Sequence, residues 1–357
     1  GVKQMFSGFK GLLFQDLPFG EFDFWRSSRM MPPDPPGYEI TEFPFFTFLF
    51  ADLHAHMMAI PFTLLVIGMG LCCVLYARKS TSMKFLDKNI LLTLFALGAC
   101  VGSLRLLNAW DFPTYFIVAS GSILIAEYYL FGGMSIVMLA RAFSKIVVMA
   151  VVGYVVFLPF HMTNEVFFNS LEMTTNTTKI SQFLSIMGLF VFVVGSFLLF
   201  DVRHKLIRIL FFAGWVHSGT GQSYGSDKLS AFKSTGLNVI LGLFLVALLI
   251  FCAVSANKFL EVGYTTLFVL VLLGLGAWSM TRWMRSNKRD APGVSFSLLL
   301  VIIAFSLVVG LEFFRMEGDI GRMNSVFKFY LQIWILLGIA SAYFVWRLGF
   351  SEESMRF

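Results

Sequence analysis

Long apolar runs dominate the chain and alternate with short polar segments. A run of about 20 apolar residues is the length that an α-helix needs to cross the hydrocarbon core of a bilayer. Nine runs approach this length and are predicted to span the membrane: 57–77, 90–106, 113–132, 146–160, 181–200, 237–254, 264–280, 295–312 and 326–347. The pattern therefore predicts an all-α polytopic integral membrane protein with about nine transmembrane helices.

Two other segments are not predicted to cross. Residues 206–216 are too short, and the basic residues beside and within them favour a helix that lies in the membrane interface. Residues 1–56 contain the proline-rich stretch 31–37, which excludes a continuous helix. We therefore expect three parts: a non-spanning N-terminal outer segment over 1–56, a transmembrane domain over 57–347 and a cytoplasmic tail over 348–357.

Composition strengthens the membrane assignment. Hydrophobic residues make up 57% of the 357 residues and charged residues only 13%, which is about half the share in ordinary soluble domains. So few charges cannot cover the surface of a soluble protein, and this composition also excludes a disordered chain and a basic nucleic-acid-binding domain. All four cysteines lie within apolar runs, which indicates neither a disulfide framework nor a zinc finger.

The charged residues are distributed unevenly across the predicted topology. With nine spans, 17 of the 27 Lys and Arg residues fall on the side that carries the C-terminus, and the positive-inside rule assigns that side to the cytoplasm. By the same division, 14 of the 21 Asp and Glu residues lie on the outer side. We therefore expect a multi-pass plasma-membrane protein with a cytoplasmic C-terminus and its chemistry at the outer face.

The first polar cluster directly precedes the first span. Asp52, His54 and His56 are spaced at i, i+2 and i+4, so all three share one face of an extended segment, whereas a helix aligns only Asp52 and His56. One carboxylate and two imidazoles can ligate a divalent metal such as Mg²⁺ or Mn²⁺, or form a base with its orienting partner. The alternative, which spacing alone favours, is that Asp52 caps the first span.

A second cluster, residues 108–114, forms a very short outer loop between two spans. Asp111 is a candidate catalytic or metal-binding carboxylate, and Arg105 is a candidate ion-pair partner for it. Trp110 is typical of an aromatic residue at the membrane interface. The structural alternative is that Asp111 caps the following helix.

The third cluster, residues 312–334, is the densest polar segment beside any predicted span. Glu312 ends one span, and Lys328 lies within the next, where an unpaired charge is costly. Glu312 is a further candidate catalytic carboxylate, and Arg322 and Lys328 together are suited to holding a phosphate. The structural alternative is neutralisation of Glu312 by Lys328.

These clusters resemble the characteristic blocks of the YYY membrane-protein family, a group of large bacterial and archaeal polytopic proteins. Residues 40–62 resemble its first block, 108–114 its second and 322–334 its third, while Trp25-Arg26-Ser27-Ser28-Arg29 resembles the approach to the first. The chain departs from the family pattern at Ala55, because a proline is usual between the two histidines.

The resemblance implies a similarity to GT-C glycosyltransferases, multi-span enzymes that take a sugar from a polyprenyl-phosphate lipid at the outer face. Family members usually have further spans before the first block, and the GT-C catalytic acid commonly lies in the first outer loop. We therefore expect this chain either to hold only part of the active site or to have lost it. The candidate residues are Asp52, Asp111 and Glu312 for catalysis, and Arg29, Trp110, Arg322, Asn324 and Lys328 for the substrate or lipid phosphate.

Three functions are compatible with these patterns. The leading hypothesis is sugar transfer from a polyprenyl-phosphate donor at the outer face, with membrane lipids as partners and no nucleic acid. The second is a non-catalytic accessory or scaffold subunit of a larger membrane complex, in which the clusters are helix caps and ion pairs. The third, transport, is the least favoured, because Glu127 is the only clearly buried acidic residue of the predicted spans and has no obvious basic partner.

Overall fold

The structure, a computed structural model, describes residues 47–48, 53–79, 87–164, 170–174, 177–215, 263–317 and 322–350. These residues form eight helices that are long and apolar enough to cross a membrane, which confirms the all-α polytopic class. The predicted span 237–254 and the proline-rich stretch 31–37 lie outside the described residues.

Nine helices and two short strands follow one another in the described part of the chain. Every helix except the short α5 is a candidate span, and α6 supplies Ile180–Asp201. The predicted interfacial helix 206–216 is not separate, since α6 continues through most of it. The elements are α1 Ala55–Lys79, α2 Lys88–Leu107, α3 Asp111–Phe131, α4 Ile136–Val156, α5 Leu158–Thr163, β1 Leu171–Met173, α6 Ile180–Trp215, α7 Tyr264–Met284, α8 Ala291–Phe313, β2 Phe314–Met316 and α9 Met323–Phe350.

Polar residues in the short connections determine where two helices begin. The Asp87 carboxylate accepts a hydrogen bond from the backbone amide of Ile90 at 2.9 Å, and the Ser135 hydroxyl accepts one from the amide of Met138 at 3.1 Å. Such caps satisfy amides of the first turn that have no partner within the helix. Because Ser135 caps α4, this span begins at Ile136 and not at residue 146 as predicted.

The spanning helices pack in two groups around one apolar core. The first group is α1–α4, with close pairs α1–α3 and α2–α4, and the second is α6–α9, with close pairs α7–α8 and α8–α9. Helix α8 is the most deeply buried of the eight candidate spans. It also contacts α1 and α3, so it joins the two groups.

Glycines allow α2 and α4 to approach each other closely. Gly98 and Gly102 are four residues apart on α2, the spacing that brings two small residues to one helix face, and Gly153 of α4 lies against them. A Cβ atom at Gly102 would lie 2.4 Å from the carbonyl oxygen of Gly153. Because that oxygen belongs to the backbone, no side-chain rotation relieves the contact. The crossing therefore positions the end of α2, which leads into the short loop before α3.

A two-stranded antiparallel sheet lies at the end of the bundle where α1, α3 and α9 begin. We call this the outer end, after the predicted topology. Glu172 of β1 lies opposite Arg315 of β2, and the amide of Thr174 donates to the carbonyl oxygen of Phe313 at 2.9 Å. Because β2 directly follows α8, the sheet connects the approach to α6 with the segment between α8 and α9.

The close approach of α2 and α4 predicts a specific sensitivity to an added methyl group. Gly102→Ala should lower the free energy of unfolding by about 1–3 kcal/mol, the usual cost of overpacking. Gly68→Ala is the matched control, because no atom lies within 4 Å of a Cβ built at that position of α1. Denaturant titration in detergent micelles measures both, and equal stability of the two variants would contradict the described crossing.

Candidate functional site

Segments from all three sequence clusters meet at the outer end. The His56 ring packs edge-on against Phe327 with 5.2 Å between ring centroids, which joins the start of α1 to α9. Trp110, in the loop before α3, packs against Phe329 in the same way at 5.7 Å. The Gln332 side-chain amide donates to the backbone carbonyl of Trp110 at 2.9 Å. The first turns of α9 thus contact both other clusters.

Asp111 lies at the end of the loop that α9 contacts. It is the first residue of α3, and only 4% of it is exposed. The Asn108 amide donates to its carboxylate at 3.0 Å, and the Gln332 side chain also reaches it. The Lys328 ammonium lies within electrostatic range of both Asp111 and the His56 imidazole. We call His56, Asn108, Asp111, Lys328 and Gln332 the Asp111 cluster.

Polar and charged groups surround the Asp111 carboxylate. Amide donors hydrogen-bond to it, a cation lies nearby, and the positive end of the α3 dipole points at it. Asn108 of the same loop is one of these donors, whereas Arg105, the candidate ion-pair partner, forms no ion pair with Asp111 in the described part of the chain. A buried carboxylate held in this way can accept a proton from a bound hydroxyl group.

The two histidines of the first cluster have different environments. His56 is only 2% exposed, and its Nε2 atom is hydrogen-bonded to the Thr47 hydroxyl at 3.1 Å. His54 is exposed, and its ring centroid lies 5.3 Å from that of His56. Helix α1 begins between them at Ala55. His56 therefore belongs to the packed site, whereas His54 lies at its edge.

The predicted metal ligands are Asp52, His54 and His56. Asp52 lies outside the described residues, and within the described part of the chain no group of three or more His, Cys, Asp or Glu residues could hold a metal. Two imidazoles alone suit Mg²⁺ or Mn²⁺ poorly, since these cations prefer oxygen ligands. Metal ligation by these three residues stays a prediction, and the proposed sugar transfer does not depend on it.

Glu312 and Arg322 form a buried ion pair at the same end of the bundle as the Asp111 cluster. Arg322 Nη2 donates to one oxygen of Glu312 at 2.5 Å, and the backbone amide of Thr178 donates to the other at 2.8 Å. Arg322 Nε also donates to the carbonyl oxygen of Leu311 at 2.8 Å. The charge that neutralises Glu312 is therefore Arg322, and not Lys328 as the structural alternative predicted. The pair ties α8 to the start of α9 and to the approach to α6.

The structure thus separates the predicted site residues into groups. Asp111, Lys328 and Trp110 come together, whereas Glu312 and Arg322 bind each other. Asn324 is half-buried in the first turn of α9, four residues before Lys328 and so on the same side of the helix. Arg29, like Asp52, lies outside the described residues. The chemical roles of all of these residues stay predictions.

Four residues that hold the candidate groups in place were not predicted as site residues from the sequence. Each makes one of the hydrogen bonds of the site: Asn108, Gln332, Thr47 and Thr178. Two of them carry a usable signal. Asn108 lies three residues before Asp111 in a short loop, and Gln332 follows Lys328 by four residues on the same helix face. The Thr178 contact has no local signal, because it joins residues 134 positions apart.

Taken together, the fold and the site define an all-α polytopic membrane protein with a buried polar cluster at one end of its bundle. The chain belongs to the uncharacterized membrane protein family DUF2298, whose profile matches residues 2–337. The matched range includes all three sequence clusters. A search of curated proteins and a search of solved structures found no match.

The Glu312–Arg322 pair predicts a large loss of stability when one partner is removed. Arg322→Met leaves a carboxylate buried without its cation and should lower the free energy of unfolding by about 3–5 kcal/mol. The double variant Glu312→Gln/Arg322→Met should recover part of the loss, because the uncompensated charge is gone.

A matched control is available in the sheet at the same end. Arg315 pairs with Glu172 at 3.1 Å, but the two side chains are 36% and 42% exposed, so Arg315→Met should cost less than about 1 kcal/mol. Denaturant titration of the four proteins gives the comparison. Equal losses for Arg322→Met and Arg315→Met would contradict the assignment of Glu312–Arg322 as a buried structural pair.

Proposed function

We propose that the protein transfers a sugar from a polyprenyl-phosphate lipid to an acceptor hydroxyl at the outer face of the membrane. The observation that carries the proposal is the buried Asp111 carboxylate, held by Asn108 and lying close to Lys328 where three sequence clusters meet. The resemblance of those clusters to blocks of a GT-C-like family supports the same reaction.

The transfer requires a base and a group that stabilises the departing phosphate. Asp111 takes the proton from the acceptor hydroxyl, and the acceptor oxygen attacks the anomeric carbon of the sugar. The bond between that carbon and the phosphate oxygen breaks, and polyprenyl phosphate leaves with the bonding electrons. Lys328 stabilises the negative charge on the phosphate. Its ammonium is a donor of three hydrogen bonds with a full positive charge.

We propose different roles for the two cations that were predicted to hold phosphate. Arg322 bonds to Glu312 and to the carbonyl oxygen of Leu311, so a phosphate would have to compete with both. Lys328 lies half-buried on the first turns of α9, near Asp111. We therefore place the phosphate at Lys328 and regard Arg322 as a positioning residue.

The start of α1 offers an apolar approach for the lipid tail. Phe48, Leu53 and Met58 are 56%, 77% and 41% exposed and lie along the chain on both sides of His56. Apolar side chains at the outer end of a span face the acyl region of the bilayer. A polyprenyl chain can lie against them while its phosphate reaches the Asp111 cluster.

With Asp111 as the base and Lys328 as the phosphate ligand, substitution of the first should lower the rate and substitution of the second should weaken binding. Purified protein in nanodiscs is given radiolabelled polyprenyl-phosphate glucose or mannose, and release of polyprenyl phosphate is measured. Asp111→Asn should retain donor binding but lose at least about 100-fold in rate, as expected for a general base. Asp52→Asn should likewise lose activity while remaining folded.

Lys328→Met should weaken binding of polyprenyl phosphate about tenfold, since a charge-assisted contact is lost. Glu172→Gln is the matched control, a carboxylate at the same end that lies in β1 and pairs with Arg315 instead of facing Asp111. It should keep both binding and rate. Full activity in Asp111→Asn, or unchanged binding in Lys328→Met, would overturn the proposal and favour the accessory-subunit alternative.

A further inference from the structure

A cavity of about 370 Å³ lies between α1, α2, α3 and α4, at the end of the bundle opposite to the Asp111 cluster. Its volume falls within the range of small-ligand sites. The cavity reaches the outside of the bundle, because Tyr76 and Thr93 line it and are exposed. Its other walls are mostly apolar and include Ile90, Leu94 and Ile123. It is independent of the proposed sugar-transfer site.

Charged residues are built into the wall of this cavity. Glu127 of α3 accepts hydrogen bonds from Lys145 at 2.5 Å and from Arg141 at 2.9 Å, both on α4. These are basic partners that hydropathy does not reveal, because the span was predicted to begin at residue 146, after both of them. Glu127 and Lys145 line the cavity, and their side chains are only 2% and 7% exposed.

The lining carries both signs of charge. Lys145 makes one hydrogen bond among the described residues, and an ammonium group has three donor hydrogens, so two remain to meet a phosphate oxygen. On the opposite wall, Asp87 accepts the capping hydrogen bond of α2 through one carboxylate oxygen, Oδ1. The second oxygen can accept a bond from a ligand donor. The cavity therefore matches a ligand with an anionic and a cationic group.

The position of the cavity along the spanning helices indicates which class of ligand can reach it. Cys72, Cys73, Tyr76 and Ala77 line it from α1, which ends at Lys79. Seven residues of helix span about 10 Å, so the lining lies within the last two turns of the span. At this depth a membrane protein meets the lipid headgroups and the first part of the acyl chains. A zwitterionic lipid can reach this cavity by lateral movement within the bilayer.

We propose that this cavity binds a phospholipid whose headgroup carries a primary amine, such as phosphatidylethanolamine. The phosphate bonds to Lys145, the ammonium donates to Asp87, and an acyl chain lies against Ile90, Leu94 and Ile123. A quaternary amine has no N–H to donate to Asp87, so phosphatidylcholine binds more weakly. Phosphatidylglycerol lacks the cation, so its hydroxyl groups can offer Asp87 only neutral hydrogen bonds, which are weaker than a charge-assisted one.

The test is a lipid titration of the full chain in detergent, followed by native mass spectrometry. Phosphatidylethanolamine, phosphatidylcholine and phosphatidylglycerol with the same acyl chains are compared. The wild-type protein should bind phosphatidylethanolamine about tenfold more tightly than the other two, which corresponds to one good charge-assisted contact. Asp87→Asn should reduce the preference over phosphatidylcholine.

Two further variants and one control separate ligand binding from folding. Lys145→Met should weaken phosphatidylethanolamine binding about tenfold. Lys88→Met is its control, because Lys88 directly follows Asp87 and is exposed but does not line the cavity. Thr93→Trp fills the cavity from an exposed position without touching the Glu127 pairs, so it should block all three lipids. Equal binding of the three lipids, a preference for phosphatidylglycerol, or unchanged binding in Thr93→Trp would overturn the proposal.

Discussion

The requirement that every buried charge have a partner organises this bundle. In a low-dielectric interior an uncompensated charge costs several kcal/mol, so acidic residues within or beside spans need cations or hydrogen-bond donors next to them. Three carboxylates meet a cation across a helix boundary: Glu127 bonds to α4, Asp201 to α7 and Glu312 to the start of α9. Apolar packing against other apolar surface or lipid has little directionality. These pairs therefore select one arrangement of helices among many that bury equal apolar area.

The same constraint explains the form of the outer end. The Glu312–Arg322 pair fixes where α9 begins relative to α8, and α9 then presents Lys328 and Gln332 toward the loop that carries Asp111. Glu312 and Arg322 neutralise each other, so their role is to position the helices that carry the site. Asp111 is held by neutral amides, with a cation close by, which is a suitable arrangement for a group that exchanges a proton during a reaction.

Residue patterns predicted much of this architecture. Hydropathy located the described spans because crossing a bilayer requires a continuous apolar run: residues 181–200 were predicted, and Ile180–Asp201 is observed. It misplaced α4, because Arg141 and Lys145 were read as loop charges. A cation that faces the bundle interior is compatible with a spanning helix when a carboxylate on another helix pairs with it. Hydropathy values of single residues contain no information about that carboxylate.

The sequence predicted several residues of the candidate site but not the contacts between them. Asp111, Trp110 and Lys328 stand out because polar residues beside spans are rare in this chain. Their convergence depends on contacts between helices far apart in sequence. Arg322 and Lys328 both follow Glu312 within a short stretch of chain, so sequence separation alone does not choose between them as its partner. Thr178 illustrates the limit, since only the folded chain brings its amide to Glu312.

The contact between the loop that carries Asp111 and the first turns of α9 is the basis of the proposed site. Cysteine cross-linking tests it most directly in a variant from which the native cysteines have been removed. With Trp110→Cys and Phe329→Cys together, a short thiol cross-linker should join the two positions in intact membranes, because their rings lie 5.7 Å apart. Glu172→Cys with Arg315→Cys, which lie opposite each other in the sheet, is the positive control. Efficient cross-linking of the control pair without cross-linking of positions 110 and 329 would contradict the account.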